Sequence, residues 1–214
     1  RREFLAAMSH EIRTPMTAML GIVDLLEGEE PTPKQRSYLD SIRSSGRHLL
    51  NIINDILDFS RIESGRIELE QIDFALPMLL EQLRSLLHPL AHERGLALHF
   101  ELAEGSPPIV RGDPTRLRQV LLNLAGNAIK FTPQGRVTVA VGYRPAGPGR
   151  YRFRFEVSDT GIGIPADKLG SLFKAFSQAD YSTSRRFGGS GLGLAISKRL
   201  VEAMGGVMGV DSKP

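Results

Sequence analysis

"NLAGNAIKFT", residues 123–132, is the stretch whose reading decides the fold. Asn123, Asn127 and Lys130 stand four and three residues apart. On a helix of about 3.6 residues per turn that spacing puts them on one face. Two carboxamides and an ammonium together are unusual on a core helix. From these residues alone two readings stay open. One is a solvated face with surface asparagines. The other is a site for an ion and a phosphate: a carboxamide oxygen suits Mg²⁺, which takes oxygen ligands and keeps several waters, and Lys130 supplies a point charge.

Two glycine-rich stretches follow it. "DTGIGIP" (159–165) ends an alternating run with Asp159, Gly161 and Gly163. It is either a turn that needs positive φ or a backbone that approaches a flat ligand, with Asp159 accepting from an amino group such as that of adenine. "GGSGLGLAI" (188–196) leads straight into a helix, a junction that offers unpaired N–H groups to phosphate. It does not fit the P-loop pattern, and "YSTSRRF" before it is no apolar strand, so P-loop and dinucleotide-fold readings fail. The catalytic-loop motifs of Ser/Thr/Tyr kinases are absent.

Around these stretches helices and strands alternate. Helices are expected over 76–95, from an Asp113 cap and Pro114 to about Lys130, and over 191–206. Strands are expected near Ile67 and Leu69, over 96–102, and over 136–143 and 151–159, the last two joined by "RPAGPG". This is an α+β sandwich with one layer of helices on a mixed sheet.

The first third differs. Leu5, Met8, Ile12, Met16, Met19, Val23 and Leu26 repeat every three or four residues, as do Tyr38, Ile42, Ser45, Leu49, Ile52, Ile56, Phe59 and Ile62. Helices are expected over 1–27 and 34–63, joined by the turn "EGEEPTPKQ" into an antiparallel hairpin. Gly46 is an interior weak spot costing about 1 kcal/mol against alanine. Leu39, Leu50, Ile53 and Leu57 lie off the seam, and the apolar surface left over points to a dimer forming a four-helix bundle. "MSHEIRTP" (8–15) sits on the first helix. His10 opens no zinc-protease motif, because Thr14 stands where the second histidine would be. His10 points away from the seam, Glu11 can hold the proton on one ring nitrogen while the other acts as nucleophile, and Pro15 would loosen or kink the helix.

Composition bounds the rest. The 214 residues suit one or two domains, with a boundary at Ser64-Gly65 and domains of 1–66 and 67–214. Hydrophobic content of 41% supports a core, and the net charge of +3 does not by itself imply nucleic acid as a partner. There is no cysteine, hence no disulfide or thiol chemistry. No apolar run approaches the roughly 20 residues of a membrane span. The chain begins inside a helix and stops at "GVMGVDSKP", just after an apparent strand begins, and so reads as a fragment truncated at its C-terminus. His88 and His92, four apart on a helix with Pro89 between them, read as surface positions, and His48 and His99 carry no pattern.

In order, "MSHEIRTP … NLAGNAIKFT … DTGIGIP … LFKAFSQAD … GGSGLGLAI" resembles the H, N, G1, F and G2 boxes of sensor histidine kinases, with spellings similar to those of the hybrid type. The resemblance implies a dimerisation and phosphoacceptor hairpin followed by a Bergerat-type ATP-binding fold. It implies autophosphorylation of His10 and relay to a receiver aspartate, in cis if hybrid or in trans, with no nucleic-acid partner. It implies ATP and Mg²⁺ as cofactors, Asn127 as the Mg²⁺ ligand, and Asn123 and Lys130 beside the nucleotide. Asp159 matches the adenine-binding acid, Gly161 and Gly163 its turn. Phe173 and Phe176 match a hydrophobic latch on a lid over 177–190, and Gly189, Gly191 and Gly193 match the triphosphate loop. Glu11 matches the adjacent acid. Thr14 matches the position that orients water in the family's phosphatase direction, so a phosphatase-dominant member or a non-catalytic ATP-binding dimer are the alternatives. Gln178 replaces an arginine that many members carry, and Arg185 or Arg186 is expected to supply that charge. The resemblance places the chain in the cytoplasmic portion of a sensor, with no membrane contact of its own even where the whole protein is membrane-anchored.

Overall fold

The computed structural model describes residues 2–63, 67–175 and 191–213, with side chains described from Ile12 onward except at Glu63. The chain divides into two compact units, Arg1–Ile67 and Glu68–Pro214.

The first unit is a helical hairpin of α1 (Arg2–Glu27) and α2 (Pro33–Glu63). α1 runs unbroken through Pro15, although proline has no N–H to give the ladder. α2 starts on a capping box: Thr32 Oγ1 accepts from the Gln35 backbone N–H at 3.3 Å, and Gln35 Oε1 accepts from the Thr32 N–H at 2.9 Å.

The contact face between the helices keeps part of the expected seam on α1 and departs from it on α2. Ile12, Met16, Leu20 and Val23 turn inward from α1, whereas Met19 and Leu26 are exposed. On α2 the inward row is Leu39, Arg43, Gly46, Leu50, Ile53 and Leu57. Of the expected row, Tyr38, Ile42, Ser45, Leu49 and Ile56 are exposed, while Ile52, Phe59 and Ile62 are half-buried. The reason lies in two residues that look wrong for a seam. A Cβ on Gly46 would stand 2.9 Å from Leu20 Cδ2, so glycine lets the helices approach closely. Arg43 reaches across to Asp24 at 2.9 Å and to Glu27, turning a charge on the inner row into a cross-helix ion pair. Gly46 is therefore a packing requirement as well as a propensity cost.

In the second unit, a two-stranded antiparallel sheet pairs β1 (Ile72–Ala75) with β3 (Ile109–Gly112). A three-stranded sheet has the order β2 (Ala97–Leu102), β4 (Arg136–Gly147), β5 (Arg150–Asp159). β2 and β4 are parallel, and β4 and β5 form an antiparallel hairpin. The parallel pair requires a crossover, which α4 (Pro114–Phe131) supplies. α3 (Leu76–Glu93) precedes β2, a short α5 (Ala166–Leu169) follows β5, and α6 (Gly193–Ala203) comes last. The sheet is mixed, as expected. Val137, Val139 and Val141 on the central strand point into a core shared with α3 and α4, including Leu83, Leu87, Leu121 and Ala125.

Several expectations shift. The strand expected at Ile67 and Leu69 lies instead at Ile72–Ala75, where it finds a partner in β3, itself not foreseen. The connection expected at 144–149 is mostly strand, because β4 and β5 continue with a bulge between Pro145 and Gly147. Residues 207–213 form no strand. Among the described residues no helix is long and apolar enough to cross a membrane.

Candidate functional site

α4 is the spine of the site. Its N-terminus is fixed by buried Asp113, whose Oδ1 accepts from the Arg116 N–H at 2.9 Å and whose Oδ2 accepts from the Glu70 N–H at 3.1 Å. Val120, Leu121, Ala125, Ala128 and Ile129 are buried, leaving half-buried Asn123, Asn127 and Lys130 on another face. Seven residues of helix span about 10 Å, so these side chains line one short track.

The "DTGIGIP" turn docks on the C-terminal end of α4. The Ile162 N–H donates to the Phe131 carbonyl at 3.3 Å. Asp159 Oδ1 accepts from the Gly161 N–H at 2.8 Å, which ties up one carboxylate oxygen within the turn. A Cβ on Gly161 would stand 2.5 Å from the Phe131 carbonyl oxygen and 2.9 Å from Thr132 Oγ1. Gly163 has a φ of 66°. Gly163 meets a conformational need, and Gly161 a close approach to α4. Thr132 is buried, and its Oγ1 donates to the Ala128 carbonyl at 2.7 Å.

The start of α6 meets the middle of α4. Asn123 Nδ2 donates to Ser197 Oγ at 2.9 Å, and a Cβ on Gly193 would overlap the Asn123 carboxamide. Gly191, with a φ of 68°, lies just before the helix. Thus Asn123, Asn127, Lys130, Asp159, Gly161 and Gly193 are gathered around one helix.

Lys130 is perturbed. Burial lowers its pKa from the ordinary lysine value, and the neighbouring Arg94 guanidinium lowers it further. Arg94 Nη1 donates to the Lys130 carbonyl at 3.0 Å, and Lys130 Nζ lies 5.0 Å from the centre of the Phe131 ring. Phe173 is half-buried, with Lys198 Nζ 5.3 Å from the centre of its ring.

Phe176, Arg185, Arg186 and Gly189 lie outside the described residues, as do Gln178 and the expected lid. His10 and Glu11 lie on α1, with side chains outside those described, and Thr14 is exposed on the same helix. Sequence reasoning missed Ser197, Arg94 and Thr132. Ser197 had a signal: a hydroxyl on the apolar face of "GLAISKRLVEA", four residues after Gly193. Arg94 had none.

Residues 112–214 match the family described as histidine kinase-, DNA gyrase B- and HSP90-like ATPase, and residues 1–65 match the His Kinase A (phospho-acceptor) domain. The chain is therefore the catalytic core of a sensor histidine kinase, a phospho-acceptor domain followed by an ATPase domain. The kinase core is 49% identical over its whole length to the sensor protein GacS of Pseudomonas syringae pv. syringae, covering 24% of that protein. It is 40% identical to hybrid signal transduction histidine kinase K of Dictyostelium discoideum, again over its whole length and 18% of that protein. A crystal structure of full-length ShkA in complex with AMPPNP superposes with a TM-score of 0.78 at 42% identity, over 96% of this chain and 42% of that one. The kinase core thus spans about a quarter or less of these curated relatives. Its second unit is an ATP-binding domain.

Proposed function

We propose that the second unit binds ATP with Mg²⁺ and that the γ-phosphoryl group is transferred to His10 on the hairpin. The observation that carries this reading is the gathering of the Asn127–Lys130 face, the Asp159–Gly161 turn and the start of α6 around α4. Asp159 would accept from the adenine amino group through the oxygen the turn does not use. Lys130 would face the phosphates.

The donor set fits Mg²⁺. Among the described residues no group of three His, Cys, Asp or Glu could hold a metal. An ion here would rest on the Asn127 carboxamide oxygen, the position the family resemblance assigns to it, with nucleotide phosphates and water completing its shell, as Mg²⁺ prefers. When bound it would offset phosphate charge.

In the transfer, an imidazole nitrogen of His10 bonds to the γ-phosphorus as the bond to the ADP oxygen breaks. Glu11 accepts the proton from the other ring nitrogen. The phosphoryl group then passes to an aspartate of a receiver domain, and Thr14 would orient water in the reverse, phosphatase direction. The exposed stripe of Met19, Ile42, Leu49 and Ile56 would be covered by a second copy in a four-helix bundle. The similarity to a relative described as hybrid favours a receiver in the same protein.

The test is incubation with γ-labelled ATP. Acid-labile, base-stable label should appear on the chain and vanish in His10→Gln. Label persisting in that variant would rule out His10 as the acceptor.

A further inference from the structure

Buried polar side chains in the second unit are Asp113, Thr132 and Ser197 among the described residues. Asp113 caps its own helix and Thr132 bonds back to a carbonyl four residues earlier. Helical serines commonly make that same back-bond. Ser41, Ser45 and Ser85 do so here, at 2.8, 2.8 and 3.0 Å. Ser197 departs from the pattern. Its bond runs from α6 to α4, accepting from Asn123 Nδ2 at 2.9 Å across 74 residues of sequence.

Gly193 makes the second side of the same contact. It lies one turn before Ser197, so both face α4. Any side chain there would collide with the Asn123 carboxamide. The amide nitrogen is thus engaged by Ser197, and the amide oxygen lies against the Gly193 backbone. Both ends of the carboxamide are turned toward α6. A side chain so occupied acts as a clasp between helices and not as an independent ligand.

We infer that Ser197 is a positioning residue for the nucleotide site: by seating Asn123 it holds the Asn127–Lys130 face of α4 in register with the first turn of α6. This rests on the ATP site proposed above and assigns Asn123 a different task from the one its motif position implies. Without the hydroxyl, a partly buried amide loses its partner and the two helices lose the contact that sets their register.

A double-mutant cycle tests it on the 214-residue chain, reading the dissociation constant of a fluorescent trinitrophenyl-ATP with Mg²⁺ alongside thermal unfolding. Ser197→Ala and Asn123→Ala should each weaken binding about tenfold, the size expected for a buried partner lost. The double variant should be no weaker than the worse single one. Ser197→Thr should bind more tightly than the near-isosteric Ser197→Val, which isolates the hydroxyl even if alanine perturbs folding. Additive losses would mean that Asn123 touches nucleotide independently, and would overturn the inference. So would variants that melt earlier but bind nucleotide unchanged. A parent chain that binds no nucleotide would overturn the ATP site as well.

Discussion

At Lys130 two effects act on one ammonium. Burial and the Arg94 charge both disfavour the protonated form, so the pKa falls. A lysine whose folded pKa lies below its unfolded one costs stability while charged. That cost lifts as pH rises through the folded pKa toward the unfolded value. Phosphate binding has the opposite requirement, because it needs the charge. Nucleotide affinity should therefore decline on the alkaline side at a lower pH than an ordinary lysine would set. Lys130→Arg should flatten that limb, since guanidinium does not titrate there. Affinity measured from neutral to alkaline pH decides it, and an unchanged profile in the variant would exclude Lys130 as the titrating group. The spacing of Asn123, Asn127 and Lys130 was legible because a helix face is a local property. The partner of Asn123 was not, because Ser197 meets it only through packing of α6 on α4.

For the elements, local signals served well wherever chain chemistry alone sets an end. Asp113-Pro114 marked the start of α4, and the structure puts that helix at Pro114–Phe131 with the cap bond in place. The turn before α2 spells Thr32-Pro33-Lys34-Gln35, a capping-box pattern that sequence reasoning missed, and its bonds are present. Thr32→Ala should cost the hairpin about 1 kcal/mol, read from chemical denaturation followed by helical circular dichroism. An unchanged midpoint would show that the box adds nothing. Which stripe of α2 faces α1 could not be read this way. α2 carries two apolar rows one residue apart, and periodicity favours the one without Gly46 and Arg43. Close approach at Gly46 and the reach of Arg43 to Asp24 reverse that preference. β1 shifted for a related reason: a short strand forms where a partner exists, and β3 lies opposite 72–75.

On the scale of the whole molecule, the stripe that the hairpin leaves outside is large and apolar. Ile42 is 51% exposed, Leu49 41% and Tyr38 57%. A second copy of the hairpin would cover it. Ile42→Glu should then convert a dimer into a monomer in sedimentation experiments while helix content is retained. A parent chain that sediments as a monomer would remove the four-helix bundle from the mechanism.

Helix periodicity, cap residues and the glycine-rich stretches are short-range features, so the helices, most strands and the stretches that gather around α4 could be read from the chain alone. Which apolar row is inside, which strand pairs with which, and which side chain holds Asn123 depend on contacts between distant segments. Those contacts were decided in the tertiary structure, where the space left by Gly46, Gly161 and Gly193 determines how closely two backbones can meet.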